Sequence, residues 1–151
     1  MIIRRAIKDD IIHLNVIKDK QMDDLFLKRL QEMSENKSVY LVAEDNGEVI
    51  GHVFLKYYGV SHLPAYPCIE DLAVRIDKRK RGIGTALVNE CERLARKKGF
   101  RKIGTQVNPT LNCPVKVMYE KLGYIDVGNK PYLDGVYNGV EDWIIDMSKD
   151  L

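Results

Sequence analysis

The sequence has few of the features that mark membrane, secreted or metal-binding proteins. Its 151 residues include three cysteines and one tryptophan, and none of its apolar runs approaches the roughly 18 residues of a membrane-spanning helix. Cys68, Cys91 and Cys113 are too few and too scattered for a disulfide framework or a Cys-x-x-Cys metal site. The first residues lack the apolar core and cleavage site of a secretory leader, so we expect none. A reducing cytoplasm is the simplest compartment.

Histidine patterns typical of catalytic or metal sites are also absent from the sequence. His13, His52 and His62 do not have the spacing of zinc ligands, and none falls in a motif that would activate Cys113 as a nucleophile. No internal repeat or linker divides the chain, and its content of 45% apolar and 30% charged residues is ordinary for a globular protein. We therefore expect one domain over residues 1–151, large enough to close a hydrophobic core, with no metal.

Positive charge is concentrated in one part of the chain. Residues 75–102 carry 11 Lys and Arg against three acids, a net charge of +8, whereas the rest of the chain carries −6. Arg93 and its basic neighbours fall at the end of a predicted helix, where cations suit the helix dipole. Arg79, Lys80 and Arg81 instead precede that helix, where cations oppose the dipole unless an anion lies between them. The distribution therefore favours an anionic ligand beside these three residues.

Hydrophobic periodicity divides the chain into strands and helices. The predicted strands cover residues 2–7, 39–43, 49–58, 68–74, 102–107, 124–127 and 143–147, and the predicted helices cover residues 9–20, 22–33, 82–98 and 114–122. Asn46-Gly47 suits a two-residue turn, and residues 59–67 predict a loop because they contain two prolines and a glycine. The order β-α-α-β-β-β-α-β-α-β-β predicts a single α/β sheet with helices on its faces.

The most informative segment is the basic turn between the strand that ends at Val74 and the helix that begins near Gly82. Free N–H groups at a helix start bind anions, glycines let an oxyanion approach the backbone, and flanking arginines add charge-assisted hydrogen bonds. The segment therefore predicts a phosphate or pyrophosphate site. The P-loop motif does not fit, because Thr105 stands where it requires Lys after the glycine spacing of residues 99–104. The dinucleotide fingerprint does not fit either, because Leu87 stands at its third glycine position.

The motif that remains is [QR]-x-x-G-x-[GA], which Arg79, Gly82 and Gly84 satisfy. In this setting it resembles the pyrophosphate loop of the GNAT superfamily of acyl-CoA-dependent N-acyltransferases. Residues 112–124 begin with Asn and end in Tyr-Glu-Lys-Leu-Gly-Tyr, which resembles the second signature of that family. The element order matches as well, so the resemblance covers essentially the whole chain. It implies a GNAT-like α/β fold: a single mixed, mostly antiparallel sheet of about seven strands with helices on both faces.

The resemblance also implies acetyl-CoA as co-substrate, bound without a metal. The pyrophosphate would be held by the basic turn and the helix start, formed by Arg79, Lys80, Arg81, Gly82, Ile83, Gly84 and Thr85. The strand containing Leu72, Ala73 and Val74 would pair with the pantetheine arm, and a backbone N–H near Leu72 or Ala73 would polarise the thioester carbonyl. Asn112 would bond the cofactor arm.

In the family the acyl group passes directly from the thioester to a bound amine. Tyr119 would give a proton to the departing thiolate, which a hydrogen-bonded phenol can do. The attacking amine must be neutral, and Glu70, Asp71 or only water would take its proton. Period-two alternation places Glu70 on the side of Leu72 and Val74 and places Asp71 opposite, although a bulge in this strand would reverse that assignment.

The acceptor is the part of the function that the sequence predicts least directly. The net charge of −6 outside residues 75–102, with acids in the C-terminal third such as Asp134 and Asp142, favours a small cationic amine, and a protein amine is the second reading. The tyrosines at 57, 58, 66, 132 and 137 either line an acceptor pocket or cover ordinary surface.

Two other functional classes compete with the enzyme. A non-catalytic sensor of CoA or acyl-CoA would use the same fold, and Tyr119 beside Asn112 argues against it. A nucleic-acid-binding module built on residues 75–102 lacks a helix-turn-helix or aromatic-stacking signature. We therefore expect neither nucleic acid nor membrane as a partner. The resemblance also allows a homodimer, because a C-terminal strand can be shared between subunits of family members.

Overall fold

The computed structural model describes residues 1–58, 66–110 and 113–151, and within them the chain forms eight strands and four α-helices. The strands are β1 (Ile2–Arg5), β2 (Ser38–Asp45), β3 (Glu48–Lys56), β4 (Cys68–Val74), β5 (Lys102–Val107), β6 (Ile125–Asp126), β7 (Tyr132–Tyr137) and β8 (Val140–Asp150). The helices are α1 (Ile11–Lys18), α2 (Asp23–Ser34), α3 (Ile83–Lys97) and α4 (Pro114–Lys121). No described helix is long and apolar enough to cross a bilayer.

The strands form one mixed sheet in the order β1-β2-β3-β4-β5-β8-β6, and β7 pairs with the other part of β8. The β4–β5 pair is parallel and the other strand pairs are antiparallel, so the predicted mixed, mostly antiparallel α/β sheet is confirmed. The central strands β2 and β3 are almost wholly buried because both faces of the sheet are covered.

Helices pack on both faces of the sheet. On one face α3 buries the apolar stripe that its sequence periodicity predicts, with Leu87, Cys91 and Ala95 fully buried against the sheet. On the other face α1 and α2 bury Leu14 and Phe26 beside side chains of β2 and β3. The sheet therefore separates two cores, and a group on β4 faces one or the other according to the local pleat.

β7 is missing from the strands predicted from the sequence, and the last strand, predicted at 143–147, runs over Val140–Asp150 as β8. The segment Tyr132–Tyr137 lacks a regular alternation because Gly135 and a bulge interrupt it. The sequence does contain a signal for the turn that joins β7 to β8, namely the dipeptide Asn138-Gly139. Both residues have positive φ, as a two-residue hairpin turn requires. Asn46-Gly47 shows the same pattern between β2 and β3, where the predicted turn is found.

The feature of the fold that creates the site is the short contact between β4 and β5. The two strands pair only at Cys68↔Gly104 and Ile69↔Thr105 and then separate. On its other edge β4 pairs with β3 along most of its length. The rest of β4, beyond Ile69, therefore has one edge that β5 does not cover, beside a gap in the middle of the sheet.

Candidate active site

A cleft of about 1140 Å³ lies where β4 separates from β5. Its walls come from β4, from α1 and α2, from α4, and from the β7–β8 hairpin. Among the lining residues are Ile69, Glu70, Asp71 and Leu72 of β4, Tyr119 of α4, and Tyr132, Asp134 and Tyr137 of β7. The structure thus brings together both catalytic residues expected from the sequence, Glu70 and Tyr119, with Leu72 of the expected pantetheine-binding strand.

A β-bulge interrupts β4 at this point. Pairing with β3 passes from Phe54↔Glu70 to His52↔Ala73, so two residues of β4 stand opposite one residue of β3. Asp71 is the residue that absorbs the extra length, with a φ of +52° in the left-handed region. Aspartate adopts this conformation more readily than most residues, because its short side chain can hydrogen-bond locally.

The bulge reverses the alternation expected for a regular strand. Leu72 and Val74 pack against the core under α3, whereas Glu70 lies opposite Phe54, whose side chain belongs to the core under α1 and α2. Glu70 is therefore on the opposite side from Leu72 and Val74, and the placement predicted from period-two alternation is wrong. The cleft reaches both sides of the sheet because it passes through the gap beside β4.

Glu70 has the environment of a weakly acidic carboxyl group. Burial raises its pKa above the ordinary glutamate value, nearby Asp134 adds to this effect, and the Lys56 and Arg29 cations partly oppose it. Within the described residues its carboxylate makes no hydrogen bond or ion pair, so it remains available to a ligand in the cleft. A glutamate with a raised pKa is suited to accept a proton near neutral pH.

Asp71, the other candidate base, is held in an ion-pair cluster. Its carboxylate accepts hydrogen bonds from Lys18 Nζ and from Arg29 Nη1, the latter at 2.8 Å. Burial alone would raise the pKa of Asp71, but nearby His52 and the hydrogen-bonded Lys18 and Arg29 hold it below the ordinary value. A carboxylate stabilised in this way is a poor base, so the environments favour Glu70.

Tyr119 is fully buried at the α4 wall, with its ring in edge-to-face contact with Tyr124 at 5.0 Å between centroids. Burial raises its pKa, and a side-chain hydrogen bond with Thr105 opposes the shift only in part. The hydroxyl is therefore protonated at neutral pH and can donate a hydrogen bond or a proton into the cleft.

The basic turn precedes α3 as the sequence predicts. Lys80 and Gly82 both have positive φ, at +62° and +79°, and Arg79 Nε donates to the carbonyl oxygen of Val74 at 3.0 Å. Gly82 caps α3 without a side-chain hydrogen bond, and the N–H of Ala86 is the first that bonds back to it. The N–H groups of residues 83–85 consequently have no helical partner and no side-chain cap from Gly82.

The start of α3 also contacts the walls of the cleft. A Cβ atom at Gly84 would lie 3.4 Å from Met118 Sδ and 3.9 Å from Leu72 Cδ2. The side chain of Ile83 is buried in the core, so only its backbone faces the turn. These are ordinary van der Waals distances, so the start of α3 lies against both the β4 strand and the helix that carries Tyr119.

The other expected site residues have varied positions. Arg79, Lys80 and Arg81 are exposed at the turn, Thr85 is half-buried behind it, and Ala73 and Val74 continue β4 from Leu72. Asn112, the expected cofactor-arm ligand, lies outside the described residues. Within the described residues there is no group of side chains that could hold a metal ion.

The tyrosines and cysteines divide between core and cleft. Tyr132 and Tyr137 line the cleft, Tyr57 and Tyr66 are buried, and Tyr58 is exposed. Cys68 and Cys91 are buried, and burial raises the pKa of both thiols, to about 12 for Cys68, which makes them poor nucleophiles. Sequence reasoning did not identify Lys18, Arg29 and Lys56 as cleft residues, because nothing in their local sequence marks them.

The β7–β8 hairpin forms the outer wall of the cleft. Leu133 pairs with Trp143 and Gly135 pairs with Asp142, so Asp134 is the extra residue of a second bulge. Its carboxylate accepts a hydrogen bond from the Tyr137 hydroxyl at 3.0 Å. In the described structure neither Asp134 nor Asp142 forms an ion pair with a cation.

An opened parallel strand pair, a basic helix start and a buried tyrosine together fit the class of acyl-CoA-dependent acyltransferases. A model of the Acetyltransferase (GNAT) family matches residues 7–124. The chain therefore belongs to the GNAT acetyltransferase family, and it is an N-acetyltransferase that uses acetyl-CoA as co-substrate.

Solved structures with a similar fold include other N-acetyltransferases. The ribosomal-protein-alanine N-acetyltransferase of Brucella melitensis is 18% identical, with both chains fully covered and a TM-score of 0.82. The PaiA N-acetyltransferase of Thermoplasma acidophilum, in complex with coenzyme A, is 18% identical over 99% of this chain and 98% of that chain, with a TM-score of 0.75. Naa20 of Chaetomium thermophilum, in complex with a bisubstrate analogue, is 22% identical over 100% and 87%, with a TM-score of 0.77. At these identities the likeness shows the fold.

The two neighbouring carboxylates should affect stability in opposite directions as the pH changes. Because the pKa of Glu70 is raised by folding, its ionisation destabilises the folded state, so Glu70→Gln should gain stability relative to the wild type as the pH rises from about 4 to 7. Because the pKa of Asp71 is lowered, Asp71→Asn should lose about 1–3 kcal/mol at pH 7, and the loss should shrink as the pH falls. Urea unfolding at several pH values measures both, and trends of the same sign would contradict these assignments.

Proposed function

We propose that the enzyme transfers the acetyl group of acetyl-CoA directly to a primary amine, and that the preferred acceptor is a small cationic amine. The observation that carries this proposal is the uncovered edge of β4, which runs between the basic turn and a cleft that contains Glu70 and Tyr119. An extended pantetheine arm can complete the hydrogen bonding of such an edge, because its amide groups match those of a strand.

The pyrophosphate is proposed to bind at the basic turn. The N–H groups of residues 83–85 have no helical partner and can donate hydrogen bonds to an anion at the start of α3. Exposed Arg79 and Arg81 supply the positive charge. Leu72, Ala73 and Val74 then offer their backbone to the pantetheine arm. Asn112 remains a predicted ligand of the same arm.

The proposed reaction needs a base and an acid near the thioester. Glu70 takes a proton from the ammonium form of the acceptor, and the neutral amine attacks the carbonyl carbon. A backbone N–H near Leu72 or Ala73 stabilises the oxyanion, the C–S bond breaks, and the Tyr119 hydroxyl protonates the departing thiolate. The extra proton on the nitrogen then passes to the Tyr119 oxygen, which leaves a neutral amide and restores the hydroxyl. The two roles suit the observed environments, because Glu70 is a weakened acid and Tyr119 is held protonated. Their presence in one cleft also supports turnover over non-catalytic binding.

The charge of the cleft supports a cationic acceptor. Glu70, Asp134 and Asp142 line it without an ion pair in the part of the chain that is described, and Asp71 is already neutralised by its two cations. The four lining carboxylates, Glu70, Asp71, Asp134 and Asp142, outnumber the three lining cations by one, so the cleft has a small excess of negative charge that favours positively charged ligands. The cleft volume of about 1140 Å³ is larger than a small amine fills, which keeps a protein amine as the second candidate. The homodimer suggested by the resemblance stays a prediction.

Removal of the Tyr119 hydroxyl should slow the chemical step. We expect Tyr119→Phe to lower kcat by about 100-fold or more and to leave the Kd of acetyl-CoA unchanged, since the hydroxyl acts on the leaving thiolate. Tyr124→Phe is the matched control, because this neighbouring tyrosine hydrogen-bonds Glu92 inside the core. CoA release and calorimetric titration supply the two measurements. A normal kcat in Tyr119→Phe would remove this residue from the acid role.

Removal of a cation from the basic turn should weaken binding of the co-substrate. Arg81→Met should raise the Kd of acetyl-CoA about tenfold, the value of one charge-assisted hydrogen bond. Arg93→Met is the control, since Arg93 is exposed on α3 and pairs with Glu90 at 2.6 Å. Equal effects of the two substitutions, measured by calorimetry, would show that only net charge matters and that the turn is not the pyrophosphate site.

Removal of a carboxylate from the outer wall should weaken binding of a cationic acceptor. With 1,4-diaminobutane as acceptor, Asp134→Asn should raise KM about tenfold, and it should leave the KM of a neutral amino acid unchanged. Glu141→Gln is the control, because Glu141 accepts from Trp143 Nε1 and does not line the cleft. Turnover of neutral amino acids without turnover of di- or polyamines would refute the cationic acceptor.

A further inference from the structure

Beyond the residues that act on the substrates, one ion-pair cluster joins three elements around the β4 bulge. Asp71 of β4 forms ion pairs with Lys18, in the last turn of α1, and with Arg29, in the middle of α2. Lys18, Asp71 and Arg29 are here called the clamp. All three line the cleft, and they are separated by up to 53 positions in sequence. The clamp is therefore a tertiary contact between α1, α2 and the strand that carries Glu70.

Arg29 is fixed more firmly than a surface cation would be. Only 10% of its side chain is exposed, and its guanidinium lies 5.0 Å from the ring centroid of Phe54 and 5.4 Å from that of Tyr40. Beneath it the Tyr40 hydroxyl and His52 Nδ1 are 3.0 Å apart in the buried core. A guanidinium held on two aromatic faces presents its N–H groups in one direction, which is toward Asp71.

The bulge that the clamp holds is the least favourable backbone in β4. A non-glycine residue in the left-handed region costs free energy, which the surrounding structure must offset. Two ion-pair hydrogen bonds to the Asp71 side chain supply this compensation at the very residue that is strained. The conformation matters because it determines which side of the sheet Glu70 faces.

We propose that Lys18 and Arg29 are positioning residues that, by holding Asp71, fix the β4 bulge and so place Glu70 and the α1–α2 wall of the cleft for the acceptor amine. The inference rests on the proposed function in one respect, namely that Glu70 acts on the acceptor. It predicts that the clamp affects acceptor binding and deprotonation, and that it leaves binding of acetyl-CoA at the basic turn unchanged.

The charges around Glu70 determine the pH response expected of clamp variants. Lys56 and Arg29 lower the pKa of Glu70, whereas Asp134 and Glu32 raise it. His52, whose pKa burial lowers to about 4, is neutral when Glu70 works and does not replace Arg29. Loss of the Arg29 charge should therefore raise the pKa of Glu70 and move the acidic limb of the rate profile to higher pH.

The test compares Arg29→Met, Arg29→Lys and Asp71→Gly with Arg93→Met, which makes the same change at an exposed ion pair. Glycine adopts a positive φ without strain, so Asp71→Gly removes the carboxylate and still permits the bulge. With 1,4-diaminobutane as acceptor, Arg29→Met and Asp71→Gly should raise the acceptor KM at least tenfold, with the Kd of acetyl-CoA unchanged. Arg29→Met should also move the acidic limb of the rate profile to higher pH, and Arg29→Lys, which keeps the positive charge, should return it to the wild-type pH.

Hydrogen exchange of the free enzyme gives a second measurement that does not depend on turnover. Amides of residues 69–73 should exchange faster in Arg29→Met than in Arg93→Met. An unchanged acceptor KM, or unchanged exchange in this segment, would overturn the role of the clamp. If the wild-type enzyme acetylates neither 1,4-diaminobutane nor a neutral amino acid, the proposed function fails instead, and the exchange rates alone decide on the clamp.

Discussion

The site depends on the separation of β4 from β5 after two residue pairs. A strand in the middle of a sheet normally bonds to neighbours on both edges, and an uncovered edge leaves N–H and C=O groups without partners. Here the gap leaves one edge of β4 uncovered beyond Ile69, and it lets the cleft connect the two faces of the sheet. Glu70 on one face and Tyr119 on the other consequently line one cleft. Without the gap, the sheet would separate them.

The sequence carried the local features of this arrangement well. The string at Arg79, Gly82 and Gly84, the apolar stripe of α3 and the Tyr119 segment are each encoded by neighbouring residues, and the structure places them as expected from periodicity and turn chemistry. The left-handed conformation of Asp71 was not readable, because an aspartate inside an apolar strand has no local feature that marks a bulge. From the sequence it could be said only that a bulge, if present, would move Glu70 to the other side of the sheet.

Long-range charge pairing was the other feature that local patterns could not show. Arg29 lies in a helix whose periodicity predicts apolar inner residues, yet it is among the most buried residues of α2. Its burial is tolerable because Asp71 neutralises it and two aromatic rings cover its faces. Such a partner, 42 positions away, becomes visible only when the sheet is assembled.

The bulge in β7 gives the hairpin wall an independence that the rest of the cleft lacks. Asp134 is supported by Tyr137 from its own strand, whereas Asp71 lies on the same strand as Glu70 and is tied to two helices. Changes in the hairpin therefore leave the ion pairs of Asp71 and the basic turn in place, and they reach Glu70 through the charge of Asp134. Substitutions within about a dozen C-terminal positions can consequently reshape this wall of the cleft while the ion pairs at the β4 bulge are kept.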